Sequence, residues 1–255
     1  AYEIRPRDWS SDVCSSDLLA WYAWYRDEPR EHSSVSAAEV AYIEAGRDTG
    51  RTSHAGWRAV MATPGLLPLC LQYFANTYGL YCFITWLPTY LSKAHGLQSA
   101  ELALFSGLPL ILSAVADVLG GAATDALALR FGSQRGSQIA GIAGYTLASL
   151  AMLLGTFMPT GSTAGMCIAI AGAFSMFTLA AAWSTAIRLG GPDAAVVSAI
   201  MNSVGQVGGI LSPIVLAYVV DWTSNWNLPL RILAALYLVS ALAWHWMRRD
   251  PADTD

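Results

Sequence analysis

Charge is what this sequence has least of. Only 13% of its 255 residues are Asp, Glu, Lys or Arg, about half the share usual in a soluble domain. The net charge is −4 and no basic run stands out, which excludes the electrostatic footprint of a nucleic-acid-binding surface. Cysteine is scarce as well. Four are present, with no C-x-x-C and no Cys/His spacing, so neither a disulfide framework nor a metal centre is expected, and no cofactor is implied. Cys70, Cys82 and Cys167 fall inside apolar stretches and read as small hydrophobes. G-x-S-x-G, H-E-x-x-H and paired acids at facing depths are all missing, and His95 and His245 have no partner cluster. The chain is therefore not read as an enzyme.

What is abundant is apolar surface. Hydrophobic residues fill 55% of the chain, with ten Trp and eleven Tyr, rings that membrane proteins place at the lipid–water boundary. A helix needs about 20 apolar residues to cross a hydrocarbon core of about 30 Å. Six stretches qualify: Leu66–Leu91, Leu102–Thr124, Ile139–Phe157, Ala164–Ile187, Ala194–Val220 and Leu228–Met247. Their internal Pro and Gly residues would damage soluble helices and are tolerated in membranes. The expected fold class is an all-α integral membrane bundle.

The connecting segments alternate in charge. One side collects Arg26, Arg30, Arg47, Arg51, Arg58, Arg130, Arg135, Arg188, Arg248 and Arg249; the other has Lys93 and Arg231. By the positive-inside rule the first side is cytoplasmic. The expectation is a multi-pass protein of the inner (plasma) membrane with a cytoplasmic C-terminus, spanning residues 64–249, followed by an acidic tail at 250–255.

Ahead of the bundle the chain divides differently. Residues 1–18 are polar, without helical or strand period, and resemble the in-frame translation of a sequencing-library adapter, Ala1-Tyr2-Glu3-Ile4 at its start and Asp8 through Leu18 at its end. They are expected to be non-native. Residues 19–25 (LAWYAWY) read as the end of a truncated transmembrane helix. Residues 26–63 read as a cytoplasmic loop, in which Ser36 and Glu39 form a capping box for a short helix from about Ala37 to Ala45, closed by Gly46.

Between the second and third spans stands Gly120-Gly121-Ala122-Ala123-Thr124-Asp125, then Arg130-Phe131-Gly132 and Arg135. The Gly pair is expected to end the helix and permit close helix contact, with Gly132 at the turn. This string resembles the loop signature of the major facilitator superfamily, whose Asp and Arg residues brace cytoplasmic helix ends in one conformational state. The resemblance implies a gating role for Asp125, Arg130 and Arg135. YRDEPREHSSVSAAEVAYI, Asn76-Thr77-Tyr78-Gly79 with Thr85-Trp86-Leu87-Pro88, and Met201-Asn202-Ser203-Val204-Gly205-Gln206 resemble the central loop, seventh helix and eleventh helix of the anion:cation symporter family within that superfamily. The resemblance runs from about Leu19 to the end. It implies the six-helix C-terminal bundle of a twelve-helix fold, and a secondary transporter that imports an organic anion, a sugar acid or carboxylate, with protons. The expected partners are that anion, a proton, the lipid bilayer and an N-terminal six-helix bundle. The alternatives are a transporter of another small solute, or a non-transporting membrane subunit.

Transporter sites lie near the bilayer midplane. At 1.5 Å per residue, Tyr78 lies about 18 Å from Leu66 and Asn202 about 12 Å from Ala194, both near the middle. Asn76 is close in depth to Tyr78; Tyr78, Tyr81 and Thr85 share a face, and Ser198, Asn202 and Gln206 share another. Amide and phenol groups suit the hydroxyls and carboxylates of a sugar acid, whereas the bland alternative is hydrogen bonding between helices. Trp183 joins the candidates, although the family's following Ala-Leu-Pro is Ser184-Thr185-Ala186 here. Trp183 as an interfacial anchor is the competing reading. Asp117, the one acid well inside a span, is a functional suspect by position. It is expected to reach toward a cytoplasmic Arg.

Overall fold

The computed structural model describes residues 11–26, 28–46 and 57–247. Arg47, Arg51, Arg248, Arg249 and the acidic tail lie outside the described residues. Those described form helices and turns, with no strand among them. The chain divides into two compact units, Ala1–Ser53 and His54–Asp255.

In the first unit, α1 (Ser11–Trp24) precedes a short 3-10 turn (Pro29–Glu31) and α2 (Ala37–Gly46). The Glu39 amide donates to Ser36 Oγ at 3.2 Å, the N-terminal cap expected from the sequence, and the helix runs through Gly46. Arg30 donates through Nη2 to Glu44 Oε2 at 2.7 Å. That bond, with the Glu44 charge, holds the guanidinium pKa above its ordinary value. α1 begins at Ser11, inside the segment that shows no helical period. The apolar stub after Leu18 supplies a helix, and adding residues to an existing helix costs far less than starting one.

The second unit is a bundle of six rods with α3 (Trp57–Met61) at its entrance. The first rod is α4 (Leu66–Tyr81), a π-helical turn (Cys82–Trp86) and α5 (Leu87–His95). The second is α6 (Ser99–Phe131), the third α7 (Ser133–Gly155). The fourth is broken into α8 (Gly161–Phe177) and α9 (Leu179–Gly190). α10 (Ala194–Thr223) and α11 (Leu228–His245) complete the set. Ser99–Phe131, Ser133–Gly155, Leu228–His245 and the helical run Gly161–Thr223, which holds the fourth and fifth rods, are long and apolar enough to cross a membrane. α4 alone is shorter because the π turn interrupts it.

Two of these boundaries differ from expectation. Gly120 and Gly121 do not end a helix: α6 continues through them to Phe131, and Gly132 at φ 86° makes the turn into α7. A glycine pair inside a helix packed on a neighbour serves close approach rather than termination. The fourth span, expected to be continuous, breaks at Thr178.

Contacts at the rod ends fix the alternation. At one end Arg188 on α9 donates to Ser133 Oγ at the start of α7 (3.0 Å), and Gln138 on α7 donates to the Met247 carbonyl beyond α11 (2.8 Å). At the other end Tyr90 on α5 donates to Asn227 Oδ1 before α11 (2.9 Å), and the Arg231 guanidinium lies over the Phe157 ring, 5.5 Å from its centroid. Arg135 and Arg188 thus gather at the first end and Arg231 at the second, as the charge pattern requires.

Two seams hold the bundle, α6 on α8 and α4 on α10. A Cβ built on Gly120 would stand 2.1 Å from the Phe177 carbonyl oxygen, and one built on Gly208 would stand 2.6 Å from that of Phe74. Both seams depend on glycine letting one backbone touch another, the packing that replaces the hydrophobic drive where lipid is the solvent.

Candidate functional site

The two interrupted rods, α4 and α8, lie side by side, and buried polar groups gather around the α8 break. The α8 break leaves the Ser175 carbonyl without a regular helical partner. Asn76 Nδ2 on α4 donates to it at 2.9 Å, and Thr178 Oγ1 donates to it at 2.8 Å. Tyr145 on α7 donates its one phenolic proton within reach of both the Gln72 carbonyl (2.8 Å) and Gln72 Oε1 (2.9 Å), and Gln72 Nε2 donates to the Leu69 carbonyl (3.0 Å). All these side chains are buried. In a medium without water such groups must find partners inside the protein, and here they do. This is a brace across the α8 break.

A second polar group is open. Asn202 and Gln206, one turn apart on α10, are exposed and have no hydrogen-bond partner among the described residues. The same helix stripe carries Gly205 and Gly209, on which Tyr73 and Tyr81 of α4 are seated: a Cβ at either glycine would come within 2.7 Å of the ring. Tyr73 in turn meets Trp183 of α9 edge-on, ring centroids 5.9 Å apart. Trp183 and Tyr81 are each 37% exposed. Two amides, the Tyr81 phenol and an indole therefore border one open face, with the buried Tyr73 behind them, offering neutral donors, acceptors and aromatic surface. Among the described residues the cations of this unit stand at or near rod ends, so this face has hydrogen bonds to offer and no positive charge.

The structure sorts the sequence candidates. It brings Asn202, Gln206, Tyr81 and Trp183 to the open face, with Ser198 half-buried one turn before Asn202. It places Asn76 in the brace, its amide engaged. Tyr78 turns away from α10's polar stripe: it is 4% exposed, its ring centroid is 6.1 Å from that of Phe74, and its hydroxyl has no partner. The shared face expected for Tyr78, Tyr81 and Thr85 is divided by the π turn, which adds a residue before Thr85. Thr85 is exposed, and its hydroxyl donates to the Tyr81 carbonyl at 2.6 Å.

Asp125, Arg130 and Arg135 are exposed and Asp117 half-buried. None forms an ion pair among the described residues, so the expected contact between Asp117 and a cytoplasmic Arg is absent. Arg130 caps the last turn of α6 over the Phe131 ring (5.3 Å), and Arg135 lies in the first turn of α7. Arg188, not singled out as a site residue from the sequence, links two rods there.

Tyr73 was also missed. It precedes Tyr81 by two turns, so the spacing that selected Tyr81 would have found it. Gln72, Tyr145, Ser175 and Thr178 carry no comparable signal, because their partners come from distant parts of the chain.

Residues 16–213 match the family model described as Major Facilitator Superfamily. The chain is 32% identical to the probable sulfoacetate transporter SauU of Cupriavidus necator, covering 91% of this chain and 55% of that protein. It is 27% identical to the probable L-galactonate transporter of Escherichia coli (91% and 52%). It is 24% identical to the probable galactarate/D-glucarate transporter GudP of Bacillus subtilis (85% and 50%). The chain spans about half the length of the curated relatives it matches.

Proposed function

The chain belongs to the Major Facilitator Superfamily, and on that premise we propose that it forms the C-terminal bundle of a proton-coupled importer of a small organic anion, a sugar acid or carboxylate. Transport proceeds by alternating access, in which two bundles rock about a site near the midplane. The observation that carries this reading is the open face itself: Asn202 and Gln206 exposed and unpartnered beside Tyr73, Tyr81 and Trp183. Polar side chains at that depth must meet water, protein or ligand. Relatives named for sulfoacetate, L-galactonate and galactarate or glucarate support this ligand class.

The division of labour follows from the chemistry. This bundle supplies hydroxyl- and carboxylate-directed hydrogen bonds and an aromatic wall. The charge that neutralises the anion and the acid that carries the proton belong to the partner bundle, for which the open face is the docking side. Asp125, Arg130 and Arg135 serve the cytoplasmic gate by forming their ion pairs in another conformational state. The arginine-rich end is cytoplasmic.

Uptake of radiolabelled galactonate or glucarate into vesicles, measured with the native-length transporter with and without an inward proton gradient, tests the proposal. Gradient-dependent uptake that collapses in Asn202→Ala is expected. Equal uptake by the six-helix chain alone overturns the two-bundle mechanism. For orientation, a cysteine at Ser133 should resist an impermeant maleimide added to intact cells, while one at Ser224 should react.

A further inference from the structure

A separate groove lies between α4 and α10. Ile200 and Val204 form its α10 wall; each is two residues from Asn202, about 200° around the helix, and so on the opposite face. Met61, Leu67, Cys70 and Phe74 are among the residues opposite, around a volume of about 370 Å³. The lining offers no hydrogen-bonding side chain beyond the weak Cys70 thiol, which excludes a sugar acid or any other polar ligand.

The depth of the groove is informative. It begins with Leu66, in the first turn of α4, and reaches Phe74, about 12 Å further along; on α10 it reaches Val204, about 15 Å from Ala194. Half a hydrocarbon core is also about 15 Å. The groove therefore spans one leaflet, from the rod ends to the midplane. At its outer end stands α3, with the exposed Arg58 one turn before Met61. An arginine at headgroup level attracts anionic lipid.

We propose that this groove is a lipid site, taking one acyl chain of an anionic phospholipid from the leaflet at the arginine-rich end, with the lipid phosphate at Arg58. The proposal rests on insertion in a bilayer and not on transport, so failed uptake would leave it standing.

Native mass spectrometry of the full chain, purified in mild detergent and mixed with phosphatidylglycerol or phosphatidylcholine, tests it. One phosphatidylglycerol should survive delipidation. Ile200→Trp, which fills the groove, should lower its retention at least ten-fold, and Arg58→Gln should equalise the two lipids. Should Ile200→Trp fail to fold by circular dichroism, Leu67→Trp at the exposed rim replaces it. With Cys70 as the sole cysteine, phosphatidylglycerol should slow its reaction with a bilayer-soluble maleimide several-fold, and inorganic phosphate should not. Retention unchanged by the groove-filling variant, phosphate protection without lipid, or cross-linking of Cys70 to another protein segment would overturn the assignment.

Discussion

The brace and the open face use the same residue types to opposite ends. Both contain an asparagine, a glutamine and at least one tyrosine within the apolar length of the rods. In the brace, Asn76 and Gln72 have their groups engaged at 2.9–3.0 Å by carbonyls and Tyr145. On the open face, Asn202 and Gln206 are exposed and unpartnered. Position on the bundle, not chemistry of the side chain, separates a structural amide from one available to a ligand. The first group resists change because its neighbours are backbone or buried rings. On the proposed function, the second should tolerate change in the fold and register it in binding.

Paired glycine substitutions put most pressure on that contrast. Gly120→Ala beside the α8 break meets the Phe177 backbone, which cannot yield, and should cost about 3 kcal/mol, the upper part of the overpacking range. Gly209→Ala meets chiefly the exposed Tyr81 ring, which can swing, and the Thr77 methyl at 3.3 Å, and should cost under about 1 kcal/mol. Denaturation in mixed micelles measures both; equal losses would erase the distinction.

The asparagines come next. Asn76→Ala should destabilise the bundle by about 1–2 kcal/mol, the scale of an interhelical hydrogen bond in a membrane protein. Asn202→Ala should stay within about 0.5 kcal/mol of the parent in stability. Its uptake in the native-length transporter should fall about ten-fold, the equivalent of about 1.4 kcal/mol. A stability loss at Asn202 matching that at Asn76 would mean the open face is another brace.

Tyr73→Phe sharpens the same comparison from within α4. It keeps the ring against Gly205 and Trp183 and removes only the hydroxyl. Stability should be unchanged and substrate KM should rise a few-fold if that hydroxyl meets ligand; kinetics of uptake provide the measurement.

The smallest effect concerns pH at the opposite end. His95, past the apolar part of the first rod, lies 3.0 Å through Nε2 from Tyr90 Oη. Since that hydroxyl gives its proton to Asn227, the imidazole is the donor. Burial lowers the His95 pKa below its ordinary 6.5, so the unfolded chain binds the proton more readily. The contribution of His95 to stability is then fully present above about pH 6.5 and declines as pH falls through that value toward the lower folded one. A slight fall in melting temperature on acidification, absent in His95→Gln, is expected.

Much of the fold was legible in the chain. Six apolar stretches separated by alternating arginine-rich and arginine-poor connections are a one-dimensional pattern, and hydrocarbon reads it directly: length sets the crossing, and arginine marks an end. Ser36 and Glu39 likewise announced α2 through contacts three residues apart. Asn202 and Gln206 were visible because an amide at midplane depth is costly unless used. The break at Thr178 was not visible, since no Pro or Gly stands at it and the apolar run continues past it into Leu179–Trp183. Nor was the separation of Thr85 from Tyr78 and Tyr81, because the π turn at Cys82–Trp86 shifts the helical phase after them.

By itself the sequence determined the solvent, the number of rods and the end at which charge collects, since each depends on residues near in the chain and on the high cost of placing charge in lipid. The tertiary structure alone decided which amide was consumed. Asn76 meets a carbonyl supplied by Ser175 on another rod, whereas no rod arrives at Asn202, and such long-range coincidence in space leaves no periodic trace along the chain.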